Sequence, residues 1–97
     1  MSSAAYRYKF NEGVELLEAE TTLHLSILAV EGLFGDARVR MDAAYSVDDT
    51  IRALIVDAST DVGQDLNAVF TAFILREFGS DAFQVRRVEG GVEEGRR

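Results

Sequence analysis

The 97-residue chain has no cysteine, no proline and no tryptophan, and its only histidine is His24. Without cysteine there is no disulfide framework and no thiolate zinc site. That composition suits a reducing compartment, so a cytoplasmic location is expected. The absence of proline agrees with regular elements joined by short turns. There is no G-x-S-x-G, G-x-G-x-x-G or P-loop pattern anywhere in the chain. No long apolar run is present either. The longest such stretch, residues 23–34, contains His24 and Glu31 and is too short to cross a bilayer. The tyrosine-bearing N-terminus lacks the apolar segment of a signal peptide. No membrane partner and no cofactor are expected.

What is present fits one domain with one core. Hydrophobic residues make up 47% of the chain, in the ordinary globular range. Seventeen acidic residues outweigh ten basic ones, for a formal net charge of −7. A field of that sign repels nucleic acid on average, which disfavours it as a partner.

Periodicity divides the chain into elements. Tyr6 to Phe10 alternate aromatic and basic residues, the period of a half-buried strand. Residues 14–34 read as a helix, with Leu16, Leu23, Ile27, Val30 and Phe34 on one stripe and Gly35 at its end. Val39, Met41, Ala43, Tyr45 and Val47 alternate with Arg38, Arg40, Asp42, Ala44 and Ser46, which predicts a second strand. Asp48 and Asp49 predict a short turn, and residues 51–58 a buried third strand. Asp61 with Gln64 three residues later reads as a capping box opening a second helix that ends at Gly79. Residues 82–88 read as a last strand. The domain is assigned to residues 1–89, with 90–97 expected to be a disordered polar tail.

The resulting order is β-α-β-β-α-β. An internal repeat supports it: Phe34-Gly35-Asp36-Ala37 in one half, Phe78-Gly79-Ser80-Asp81-Ala82 in the other. The expectation is an α+β, ferredoxin-like domain, with a four-stranded antiparallel sheet and two helices on one face. That architecture hosts many unrelated functions, so it carries no functional inference by itself.

Three places invite a functional reading. If the strand aromatics face the helices, Arg7, Lys9, Arg38 and Arg40 face away, joined by Arg52 and one of Arg86 or Arg87. They form a cationic sheet face suited to an anionic ligand or RNA. In the first helix, Glu20, His24 and Glu31 fall within about 40° of one another on the helical wheel. They are weak candidates for a shared metal ion or for a histidine general base oriented by a carboxylate, and otherwise form a polar seam with a His–Glu hydrogen bond. The rest of that helix is apolar nearly all round, with Leu25, Leu28, Ala29 and Leu33 outside the core stripe. A two-layer domain covers one side of a helix, so these residues are expected to meet a second copy of the chain or a protein partner. Finally, residues 57–61 place two aspartates beside a helix start, where capping explains them better than anion binding.

The leading expectation is therefore a non-catalytic binding or assembly module that forms a homodimer or docks on a protein. The alternatives are anion or RNA binding through the arginine-rich face, and a small oligomeric enzyme using His24 with Glu20 and Glu31.

Overall fold

A computed structural model describes residues 4–89; the expected polar tail, 90–97, lies outside the described residues. The elements are β1 (Ala4–Phe10), α1 (Leu16–Phe34), α2 (Asp36–Asp42), β2 (Tyr45–Asp48), β3 (Ala53–Asp57), α3 (Asp61–Phe78) and β4 (Phe83–Glu89), with a short 3₁₀ turn at Ser80–Ala82. The strands form one antiparallel sheet in the order β2-β3-β1-β4. The fold is thus a small α+β arrangement of a four-stranded antiparallel sheet and three helices.

Strand parity decides which side chains enter the core. Tyr8 lies opposite Leu54 on β3 and Val85 on β4, and Tyr45 lies opposite Val56. Paired residues share a face, so Tyr6, Tyr8, Phe10, Leu54, Val56 and Tyr45 point the same way. Tyr8, Phe10, Tyr45, Leu54 and Val56 join Leu23 and Val30 of α1 and Val62, Leu66, Phe70 and Ile74 of α3 in a single core cluster. The ring of Phe70 meets Tyr8 edge-on at 4.8 Å between centroids.

A buried polar network pins α3 to the sheet. The Tyr8 hydroxyl donates to Asn67 Oδ1 at 2.6 Å and lies 3.1 Å from Thr71 Oγ1. Asn67 Nδ2 in turn donates to the carbonyls of Gly63 at 2.8 Å and Asp57 at 3.1 Å. Each polar atom of Asn67 is therefore partnered. Burial pushes the Tyr8 phenol up to about 12, although the Thr71 hydrogen bond acts in the opposite direction; it stays a neutral donor at ordinary pH. Gly63 makes this close approach possible, because a Cβ there would sit 2.5 Å from the Asp57 carbonyl oxygen.

Four expectations are corrected. Residues 36–42 form a helix, so β2 is only the four residues Tyr45–Asp48. The alternation of Val39, Met41 and Ala43 resembles a strand, but the charges have helical spacing. Arg40 Nε bonds Asp36 at 3.1 Å and Arg38 lies 3.5 Å from Asp42, both at i,i+4. Asp36 also occupies the first turn and Arg40 the last, the order the helix dipole favours. Second, the N-cap of α3 is Thr60, whose hydroxyl accepts from the Gly63 amide at 2.9 Å, so no capping box joins Asp61 to Gln64. Third, the β2–β3 connection runs longer than Asp48-Asp49 and ends at Arg52, which has φ 55°. Fourth, α1 starts at Leu16 rather than at residue 14.

The internal repeat is structural. Gly35 and Gly79 both adopt φ 89°, end α1 and α3, and donate to Glu31 and Leu75. Each then leads into a short helical segment, seven residues in the first half and a single 3₁₀ turn in the second. A left-handed φ of this kind favours glycine.

Candidate functional site

The outer face of α1 is the most unusual surface. Among its exposed large apolar residues, Leu17 is 71% accessible, Leu25 54%, Leu28 60% and Leu33 70%. Ala29 and Gly32 are exposed beside them. At 100° per residue, Leu17, Thr21, Leu25, Leu28 and Gly32 fall within about 80° of one another. This strip contains no charged residue. Inward, the same helix presents Ala19, Thr22, Leu23, Ser26 and Val30. All four residues expected at an interface, Leu25, Leu28, Ala29 and Leu33, therefore lie on the accessible side. Met41 of α2 is 83% exposed as well.

The polar stripe of α1 resolves into a three-residue chain. The Tyr45 hydroxyl donates to Glu20 Oε2 at 2.8 Å and lies 2.6 Å from His24 Nε2. Its one proton is engaged with Glu20, so Nε2 is the nitrogen that donates to it, and Nδ1 carries the lone pair of the neutral imidazole. Glu20 and His24 themselves are 4.0 Å apart. The expected direct His–Glu hydrogen bond is thus replaced by a bridge through Tyr45. The sequence signal for this was a core-facing tyrosine on a strand, whose hydroxyl needs a partner when its ring is buried. Glu31 stands apart, seven residues and about 10 Å further along the axis than His24. Among the described residues, no group of three or more His, Asp or Glu side chains is placed to hold a metal ion. The chain Glu20–Tyr45–His24 holds the imidazole through Nε2, and His24 itself is well exposed.

The cationic face is partly regrouped. By the sheet register, Arg7, Lys9 and Arg86 lie on the side away from the core, and Arg7 stands directly opposite Arg86. Like charges in that position repel, and none of the three has an ion-pair partner within 4 Å among the described residues. Arg38 and Arg40 are elsewhere. On α2, Arg38 reaches Asp61 at 2.7 Å and covers the Phe34 ring at 5.0 Å, while Arg40 is paired with Asp36. Arg52 is also withdrawn: its guanidinium donates to the carbonyls of Asn11 and Val14, tying the β2–β3 turn to the start of α1. At residues 57–61, Ser59 bonds Asp57, and Asp61 accepts from the Val62 amide, so the aspartates there serve the helix start.

No helix of the described residues is long and apolar enough to cross a membrane. No protein-family model matches this chain, and comparison with curated proteins and with solved structures finds no match.

Proposed function

We propose that this domain is a non-catalytic assembly module that forms a homodimer through the outer face of α1. The observation that carries the reading is the uncharged strip of Leu17, Leu25 and Leu28 on a chain of net charge −7. Two copies of so acidic a chain repel, and a self-complementary contact must come from a surface without charge. A twofold axis across α1 sets the end bearing Leu17 and Thr21 against the partner's Leu28 and Gly32. Burying what remains exposed of each of these three leucines contributes about 1 kcal/mol, or roughly 6 kcal/mol over two copies. Association costs about 4–15 kcal/mol, so a dimer held by these residues dissociates on dilution. The strand order β2-β3-β1-β4, with α1 and α3 as the crossovers, supports a ferredoxin-like reading of the fold. A cytoplasmic location belongs to the same proposal, on the cysteine-free composition.

Light scattering across protein concentration, at low and high salt, tests it. The expected result is a dimer that persists in high salt and becomes monomeric in Leu25→Lys/Leu28→Lys. A monomer at every concentration overturns it.

The facing pair Arg7 and Arg86, with Lys9 on the diagonal, favours a second reading, an anionic ligand on the open sheet face. That binding would weaken with salt, where the α1 contact would not.

A further inference from the structure

The sheet is wider than the helical layer above it. Helix α3 packs on β3 and buries Tyr8 of β1, and the core-side face of β4 is left partly bare. Phe83 at one end is packed against Phe10, at 5.8 Å between ring centroids, but Val85 is exposed and Arg87 beyond it is exposed too. The result is an open groove of about 420 Å³ between α3 and β4, with Tyr6, Ala68, Thr71 and Val85 among its walls. It adjoins a second hollow of about 310 Å³, with which it shares Tyr6 and Gln64 and where Arg87 lies.

The two ends differ in chemistry. At the Val85 end the polar atoms are already engaged. The Tyr8 hydroxyl is held by Asn67 and Thr71, which leaves ring, methyl and methylene surface. At the Arg87 end they are not. Arg87 stands directly opposite Tyr6 across the β1–β4 pair. Neither the Arg87 guanidinium nor the Tyr6 hydroxyl has a hydrogen-bond partner among the described residues. Gln64 beside them makes one long contact through its amide nitrogen, 3.5 Å to the Ala58 carbonyl, and its side-chain oxygen is free.

We infer that this groove binds a small carboxylic acid with a flat apolar body, the body lying on Tyr6, Ala68 and Val85 and the carboxylate on Arg87 with the Tyr6 hydroxyl. A guanidinium offers two parallel N–H donors that match a carboxylate. A cavity of a few hundred cubic ångströms with mostly apolar walls and a few converging polar groups is the usual form of a small-molecule site. The site lies toward the β4 edge and shares no residue with the α1 strip, so it stands or falls separately from self-association.

The test is titration of the ¹⁵N-labelled protein with 3-phenylpropionate and with its neutral amide, followed by backbone amide shifts. Expected are saturable shifts at Tyr6, Ala68, Thr71, Val85 and Arg87, with the amide binding about tenfold more weakly. Arg87→Gln should abolish that preference and leave the affinity for the amide unchanged. Ala68→Leu, which fills the groove from an exposed helix position, should abolish binding of both probes while its unfolding curve stays near that of the parent. Absence of saturable shifts at about 10 mM probe, shifts centred on the leucines of α1, or a carboxylate preference that survives Arg87→Gln would each overturn the assignment.

Discussion

The two long helices distribute their side chains in opposite ways. Helix α3 turns Val62, Leu66, Phe70 and Ile74 inward and, apart from the partly exposed Phe73 and Leu75, leaves polar residues such as Gln64, Asp65 and Arg76 in solvent. Helix α1 turns Ala19, Thr22 and Ser26 inward beside Leu23 and Val30, and puts four leucines outside. Packing accounts for the difference. Where two helices pack tightly over a sheet, the bulk of one needs small residues on the other. Here α1 and α3 lie against each other, and α1 turns alanine, serine and threonine inward. The inward hydroxyls are satisfied locally: Ser26 donates to the Thr22 carbonyl at 2.8 Å, and Thr22 reaches Glu77 of α3 at 2.5 Å. High apolar content in a helix therefore does not measure its share of the core.

That contrast is open to direct attack. The largest effect is expected from Phe70→Ala, which empties a fully buried aromatic site and should cost about 3–5 kcal/mol in denaturant unfolding. Leu28→Ala on α1, measured in dilute monomer, should change stability by no more than about 0.5 kcal/mol. If the two costs were similar, the α1 leucines would be core residues and the contrast would fail.

Next in size is a pH effect confined to the α3 side. The folded Tyr8 phenol lies near 12 against an unfolded value near 10. The folded state therefore holds its proton more tightly. The stability this contributes is fully present below pH 10 and is lost as pH rises from 10 toward 12, at up to about 1.4 kcal/mol per pH unit. Urea unfolding of the parent and of Tyr8→Phe over this range would show it: the parent curve should fall more steeply. Parallel curves would mean that the phenol is not buried as described.

A smaller effect than that of Tyr8 sharpens the α1 side. A Cβ at Gly32 would meet nothing within 4 Å. Gly32→Ala should therefore stabilise dilute monomer by about 0.5–1 kcal/mol through helix propensity alone. A loss of stability in thermal unfolding would show that something already packs on that face.

Much of the fold is legible in local chemistry. Gly35 and Gly79 end the two long helices where their positions suggested, because each chain exit needs φ near 89°. The alternation of Tyr6, Tyr8 and Phe10 puts them on one face of the sheet, and the packing makes it the face under the helices. The error at residues 36–42 has an equally local cause. Seven residues carry three full alternations as well as two i,i+4 ion pairs, and both periods fit so short a segment. The cationic face inherited that error, since Arg38 and Arg40 left the sheet with their segment. Local sequence does not separate Arg86 from Arg87, because only the register with β1 assigns their faces.

Local sequence determined where the helices stop, which strand residues share a side, and that α1 has more apolar surface than one layer covers. These follow from backbone sterics and from periods of two and 3.6, which need only neighbouring residues. Tertiary structure alone decided that Tyr45 stands between Glu20 and His24, that Arg52 serves the start of α1, and that α3 leaves β4 uncovered beside Arg87. Each depends on contacts between residues far apart in the chain, whose distances are set by how helices of unequal bulk settle on one sheet.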